Sequence, residues 1–216
     1  DMALGSALVF NIRLPENFNS PYKALNIRDF WRRWHMSLSR FLLDYIYIPL
    51  GGNRSGLLRT CINLITTFFL CGLWHGAGWT FIFWGLLNGI ALIVHHFWLK
   101  TEFKMHYFFS GALTFLFVNF AWVFFRADEW KNAVQILTAM LGFNGVGAFE
   151  LLPALYILFF LGIVFGAKNS MQWARQVNTK TEAIYIALFL AFFSLLQLNN
   201  FQISNNKTME FLYFNF

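Results

Sequence analysis

The sequence contains very little charge. Asp, Glu, Lys and Arg together make up 12% of its 216 residues, whereas hydrophobic residues make up 58% and aromatic residues 21%. Soluble globular domains usually carry about 25% charged residues, so this composition excludes an ordinary soluble protein. Several apolar runs approach the roughly 20 residues that one bilayer crossing requires. The sequence therefore predicts an all-α protein with several transmembrane helices.

Cysteine and the common catalytic motifs are also scarce. The two cysteines, Cys61 and Cys71, do not pair with histidines at metal-site spacing, so we expect small core residues and no metal. There is no Gly-x-Ser-x-Gly elbow, P-loop or zinc motif. The net charge of +6 does not indicate nucleic-acid binding, because no basic run is interleaved with polar base-reading residues. In a membrane protein such an excess indicates basic cytoplasmic loops.

Residues 26–43 form the one strongly amphipathic and basic segment. Pro and Asn breakers in residues 13–22 predict a loop before it, and Asn26 is a plausible N-cap for a helix through Leu43. Its aromatic and arginine residues favour a position in the membrane interface. Residues 2–12 resemble the end of a span, and the apolar runs that follow lie at 62–73, 79–98, 107–125, 151–167 and 183–198.

The first apolar run, at 62–73, is 12 residues long and reaches only about 18 Å as a helix, short of the roughly 30 Å hydrocarbon thickness. If it forms a hairpin with 79–98, basic loop residues divide 12 inside to 3 outside; if 62–98 crosses once as a broken helix, the division is 10 to 5. The positive-inside rule favours the short membrane-embedded hairpin. The hairpin places His75 inside the membrane, at the bottom of a recess that opens outward.

His75 lies in an apolar stretch, between Trp74 and Trp79 and beside Gly76 and Gly78. An ionisable residue within a membrane indicates a functional site, although a histidine can also bond two helices together. The glycines permit a substrate or backbone to approach closely. An imidazole with a pKa near about 6.5 accepts a proton at neutral pH. We therefore predict a general base at His75, with Trp74, Gly76, Gly78 and Trp79 as substrate contacts.

Three further groups leave alternatives open. His35 shares a helix face with apolar neighbours, so its ring is either an interfacial side chain or part of a site. Arg32 and Arg33 either bind lipid headgroups or steer an anionic donor toward the membrane. The C-terminal FLYFNF, which contains Tyr213, is either an aromatic interface belt or a tail on the face where the His75 recess opens.

Four blocks of sequence resemble one known family. RLPENFNSPY, DFWRRWHMSLSRFLLDYIYIPLGGNR, LWHGAGWTFIFWGLLNG and WVFFRADEW are similar, in this order, to the membrane-bound O-acyltransferase (MBOAT) family. The bacterial branch that the sequence resembles contains the alginate O-acetylation, peptidoglycan O-acetylation and teichoic-acid D-alanylation membrane proteins.

The resemblance implies a ring of transmembrane helices around a funnel, with His75 as the essential histidine and His35 as a second one near the donor path. It implies transfer of an acyl group, acetyl by resemblance, from a cytoplasmic thioester such as acetyl-CoA to hydroxyls of an extracytoplasmic polysaccharide. No cofactor is bound tightly, and the expected partners are membrane lipids and an extracytoplasmic acetylation protein. By similarity to a small D-alanylation subunit, Tyr213 is a candidate transient acyl acceptor.

The expected location is the bacterial cytoplasmic membrane, with residues 1–216 as the C-terminal part of a single transmembrane domain whose N-terminal helices are absent. Two other classes of protein remain open. One is half of a transporter or channel with a proton-relay histidine, although the sequence shows no inverted repeat. The other is a scaffold that docks a secreted enzyme and performs no chemistry itself.

Overall fold

The computed structural model describes residues 2–143, 145, 151–176, 179–181, 184–188 and 191–192. Contacts divide the chain into two compact units, Asp1–Ala167 and Lys168–Phe216. Among the described residues all regular structure is helical, as the sequence predicts. The first unit contains α1 (Met2–Val9), a 3-10 turn (Pro21–Lys23), α2 (Ile27–Arg33), α3 (Met36–Leu42), a π-helical turn (Leu43–Tyr47), α4 (Leu57–His75), α5 (Trp79–Trp98), α6 (Tyr107–Arg126), α7 (Trp130–Met140) and α8 (Leu151–Gly166). The second contains α9 (Ser170–Ala174).

Three helices, α4, α5 and α6, are long and apolar enough to cross a membrane. Helices α4 and α5 form the predicted hairpin, joined by residues 76–78. A Cβ atom on Gly72 would overlap the carbonyl oxygen of Phe81, and one on Gly85 would overlap that of Phe68. Because these glycines lack a side chain, the two backbones touch directly, as small residues permit in membrane helix pairs.

The predicted length of the first hairpin leg is wrong. Helix α4 has 19 residues and spans about 28 Å at 1.5 Å per residue, so a short leg does not limit the depth of His75. Arg59 and Thr60 precede the predicted run and made it appear shorter. Two of the threonine hydroxyls of the helix are satisfied by backbone carbonyls. The Thr60 hydroxyl donates to the Gly56 carbonyl at 2.9 Å and that of Thr67 donates to the Asn63 carbonyl at 2.7 Å.

The single helix predicted for residues 26–43 is also wrong, because the chain breaks after Arg33. Asn26 caps α2 as expected, accepting from the Asp29 amide at 2.8 Å. The break itself is held by the loop before α2. The Asn19 amide donates to the Arg33 carbonyl at 2.9 Å, at the end of α2. Asn17 accepts from the Met36 amide with its carbonyl and from the Ser37 amide with its side chain, at 3.0 Å each, which satisfies the start of α3.

The predicted apolar run at 151–167 forms α8, an apolar helix of 16 residues. Residues 183–198 lie largely outside the described residues. The core of the first unit joins buried side chains of α2, α4, α5 and α6, and α2 contributes Ile27, Phe30 and Trp31. The arginine-bearing segment 26–43 is therefore packed on the hairpin. Its position relative to a lipid surface stays a prediction.

Candidate active site

The His75 imidazole lies among three aromatic rings, those of Trp74, Trp84 and Phe125, which we call the aromatic cage. Its ring centroid is 4.8 Å from Trp74, 5.3 Å from Trp84 and 4.9 Å from Phe125, and the rings meet at 73°, 89° and 78°. Neither ring nitrogen hydrogen-bonds to another group in the described part of the chain. An imidazole held by ring packing alone keeps its nitrogens available for proton transfer.

Three helices build this cage. His75 is the last residue of α4, Trp84 lies in the first half of α5, and Phe125 is near the end of α6. Trp84 is only 2% exposed, so its ring has a single well-packed environment. Perpendicular ring packing at these distances is favourable beyond the area it buries. The position of His75 therefore depends on how α4, α5 and α6 pack together.

His35 occupies the break between α2 and α3 in a left-handed backbone conformation, with φ of 43° and ψ of 58°. This conformation is uncommon for a residue with a side chain, and such strain costs about 1–3 kcal/mol and clusters at functional sites. Within the part of the chain that the structure describes, its buried Nδ1 atom has no hydrogen-bond partner. Burial lowers the pKa of His35, and an interaction with its own backbone partly offsets this. The ring is therefore neutral at pH 7.

The two histidines lie close enough together to interact electrostatically. A series of ring contacts joins their surroundings. Trp34, next to His35, packs against Trp122 at 4.9 Å, and Trp122 stacks on Trp84 of the aromatic cage at 6.0 Å with an interplanar angle of 22°. The break in the helix thus brings both predicted histidines to one region of the fold.

A second feature is a cavity of about 770 Å³ beside α2 and α3, which we call the arginine cavity. Trp31 and Phe68 line its inner wall. The same Trp31 ring packs against Phe68 at 4.9 Å and against Trp84 at 5.9 Å, so the cavity and the aromatic cage share a wall. Neither histidine of the pair lines the cavity. Its cationic side chains are Arg28, Arg32, Arg40 and Arg54, with His96 beside them and Asp44 as an acidic neighbour.

The loop that carries Arg54 is fixed to α4 by a buried amide. Asn63 is 1% exposed, and its Nδ2 donates to the Gly52 carbonyl at 2.9 Å. Gly51 and Gly52 have φ values of 106° and 55°, which glycine adopts without steric cost. This turn therefore holds the loop, and with it Arg54, at the edge of the arginine cavity.

The model of one protein family matches residues 1–127, which include both histidines, the aromatic cage and the cationic side chains of the arginine cavity. That family is MBOAT, the membrane-bound O-acyltransferase family. The chain belongs to this family.

Individual relatives agree with the family match. The chain is 59% identical over 150 residues to a peptidoglycan O-acetyltransferase of Helicobacter pylori, and this alignment covers 68% of this chain and 28% of that protein. It is 37% identical over 245 aligned positions to a protein named probable alginate O-acetylase in Pseudomonas putida, covering 100% of this chain and 49% of that protein. A teichoic acid D-alanyltransferase of Bacillus subtilis is 31% identical over 145 residues, covering 60% and 37%. The chain thus spans half or less of these relatives' lengths.

The four predicted substrate contacts around His75 in this MBOAT chain differ in exposure and packing. Trp74 is 64% exposed although it contacts His75, and Trp79 is 79% exposed. A Cβ atom on Gly76 would lie 2.7 Å from the Phe81 ring, whereas one on Gly78 would make only ordinary contact at 3.6 Å. Gly76 therefore makes room for the Phe81 ring, while Gly78 is exposed. The four positions do not form one enclosed wall around His75.

The two arginines predicted on the donor side make different contacts. Arg32 lines the arginine cavity, whereas Arg33 pairs with Asp29 at 2.9 Å. His96, in the last turn of α5, lines the cavity as well. Tyr213 lies outside the described residues, and its contact with the active site stays a prediction.

Sequence reasoning missed Arg28, Arg40, Trp84, Trp122 and Phe125 as components of the site. Two signals were present, because Arg28 and Arg32 share a helix face at i and i+4, as Trp122 and Phe125 do at i and i+3. Neither signal identifies the partner helix. Arg40 reaches the cavity only because the helix breaks at His35.

Proposed function

We propose that the full-length protein is a multi-pass O-acyltransferase of the bacterial cytoplasmic membrane, which moves an acetyl group from a cytoplasmic thioester to hydroxyl groups of an extracytoplasmic cell-envelope polysaccharide. The observation that carries the proposal is His75, an imidazole with unengaged ring nitrogens inside the aromatic cage of an MBOAT chain. The names of the relatives support a cell-envelope polymer as acceptor, since they include peptidoglycan O-acetyltransferase and probable alginate O-acetylase.

In the proposed reaction, His75 takes the proton from the acceptor hydroxyl while the hydroxyl oxygen attacks the thioester carbonyl carbon. The tetrahedral intermediate then breaks its carbon–sulfur bond, and the departing thiolate takes a proton back from the imidazolium. A general base of this kind contributes about 10²–10⁴-fold to the rate. The buried ring of Trp84 and the ring of Phe125 form apolar surface on two sides of His75, and such surface strengthens electrostatic stabilisation. His35 supplies a second, neutral imidazole close by.

The arginine cavity suits the donor. Arginine forks bind phosphate groups well, and Arg28, Arg32, Arg40 and Arg54 all line this cavity. Acetyl-CoA combines several phosphates with a long apolar-compatible arm, so its phosphates match the arginines. Trp31 lines the cavity and also packs against Trp84 of the aromatic cage, and this proximity supports the proposal that the thioester end of a bound donor reaches toward the histidines. An extracytoplasmic partner protein is expected to receive or direct the acetyl group on the other side.

The test uses full-length protein in proteoliposomes, with its extracytoplasmic partner, radiolabelled acetyl-CoA on the arginine-cavity side, and either oligouronate or peptidoglycan fragments on the other side. We expect label in the acceptor from the unaltered protein and at least an about 100-fold slower rate for His75→Ala. His106→Ala is the matched control, because His106 caps α6 at an exposed position. Undiminished acetyl transfer by His75→Ala would refute the proposed enzymatic role. Movement of a solute across the membrane without transfer of label would favour a transporter.

A further inference from the structure

Asn88 is a buried amide that connects two of the elements bearing the site. It lies on α5 with 2% exposure. Its Oδ1 accepts from the indole Nε1 of Trp31 on α2 at 3.2 Å, and its Nδ2 donates to the Trp84 carbonyl at 2.8 Å. An indole only donates and a carbonyl only accepts, so the chemistry of the two partners fixes the orientation of the amide. Both the oxygen and the nitrogen of the Asn88 side-chain amide are therefore hydrogen-bonded.

The partners of Asn88 are themselves next to the reacting region. The Trp31 ring packs against Trp84 at 5.9 Å, and Trp84 packs against His75 at 5.3 Å. On the other side, Trp31 belongs to α2, which ends at Arg33, immediately before the strained break that holds His35. The amide thus connects the helix that leads to His35 with the helix that forms one wall around His75.

Side chains of similar size do not make both of these hydrogen bonds. Leucine at position 88 leaves the buried Trp31 N–H without a partner, and aspartate has no donor for the Trp84 carbonyl. A buried donor without a partner is unfavourable, and we expect α2 to relieve this by shifting on α5. A shift of about 1 Å at a catalytic group reduces rate by about 100-fold.

We propose that Asn88 is a positioning residue for acyl transfer, which fixes α2 against α5 and thereby sets the placement of His35 relative to His75. The proposal rests on the proposed function. Asn88 does not touch the acyl donor or acceptor in this role; it acts through Trp31 and Trp84. It therefore affects the chemical step more than donor binding, which depends on the arginine cavity.

The experiment compares Asn88→Leu, Trp31→Phe and the double variant in the full-length protein, assayed in proteoliposomes with radiolabelled acetyl-CoA. A further variant carries benzothienylalanine at position 31, which keeps the shape of tryptophan and replaces the indole N–H by sulfur. We expect Asn88→Leu, Trp31→Phe and the benzothienylalanine change each to lower kcat about 10- to 100-fold. KM for acetyl-CoA should change by less than about 2-fold in Asn88→Leu and in the benzothienylalanine variant, because both keep a ring of tryptophan shape in the wall of the arginine cavity. The double variant is expected to be no slower than the slower single variant, because both changes remove one shared bond.

Thr114→Val is the matched control. Thr114 is 8% exposed on α6, and its hydroxyl donates to the Ser110 carbonyl of the same helix at 2.8 Å, so its loss breaks a buried bond without uncoupling two helices. We expect its kcat to stay within about 2-fold of the unaltered protein. Three results would each overturn the positioning role. They are a normal kcat in the benzothienylalanine variant, failure of the benzothienylalanine variant to fold, and a kcat loss in the double variant equal to the product of the two single losses. Transfer that survives His75→Ala would instead overturn the proposed function, so the two failures are distinguishable.

Discussion

Gly85→Ala tests the direct backbone contact on which the position of His75 depends. The added methyl group would overlap the Phe68 carbonyl oxygen, so α4 and α5 must separate by about 1 Å to restore ordinary van der Waals contact. Overpacking of this kind costs about 1–3 kcal/mol, and the better helix propensity of alanine returns about 1 kcal/mol. We therefore expect the free energy of unfolding to fall by about 0–2 kcal/mol. Transfer should slow by about 100-fold, because His75 moves with α4 while Trp84 moves with α5.

The assay combines thermal unfolding of the purified full-length protein with acetyl transfer in proteoliposomes. Gly111→Ala is the matched control, because Gly111 is also helical and a Cβ atom there would lie 3.5 Å from the Leu25 side chain, an ordinary contact. We expect that variant to unfold at the same or a higher temperature, with an unchanged transfer rate. If Gly85→Ala behaves like Gly111→Ala in both measurements, the argument from backbone contact is refuted.

The remaining predictions concern Arg32 and His35. Arg32→Gln should raise KM for acetyl-CoA about 5- to 10-fold with little change in kcat, because it removes one phosphate contact. Arg33→Gln should change KM by less than about 2-fold, since Arg33 is paired with Asp29 and does not line the cavity. Equal changes of KM in the two variants, measured by steady-state kinetics, would contradict the assignment of Arg32 alone to the donor. His35→Gly should relieve about 1–3 kcal/mol of backbone strain and still abolish most transfer. Because burial lowers the pKa of His35, its neutral form contributes stability above about pH 6.5 that is lost as pH falls toward the lowered pKa. Thermal unfolding at pH 5 and pH 7.5 should therefore show a larger loss for the unaltered protein than for His35→Gly.

The strained conformation of His35 is the feature that most directly links fold and proposed chemistry. A histidine in the left-handed region persists only where its surroundings hold it there. Asn17 and Asn19 satisfy the two helix ends that meet at this point, so the break is maintained by hydrogen bonds from the loop before α2. The result is a second imidazole near His75, with its Nδ1 buried and, among the described residues, unpaired.

The sequence by itself determined the membrane class, the all-helical architecture and the hairpin. These follow from apolar runs and their interruptions, which are local properties of the chain. It also identified His75 as a candidate, because an ionisable ring in an apolar stretch stands out without any knowledge of its neighbours. His35 became a candidate through the resemblance to the MBOAT family. The length of α4 was less predictable, since the Thr60 hydroxyl donates to a backbone carbonyl and the helix therefore extends through a polar position before residue 62.

Only the tertiary structure decided how these residues come together. The break at His35 depends on Asn17 and Asn19, the aromatic cage depends on Trp84 and Phe125 from two other helices, and Arg33 separates from Arg32 because Asp29 pairs with it. Local patterns show which face of a helix is apolar, but they carry no information about the partner that covers it. That choice is made by packing between segments far apart in the chain. The contact between Trp31 and Asn88, 57 residues away, is the clearest case.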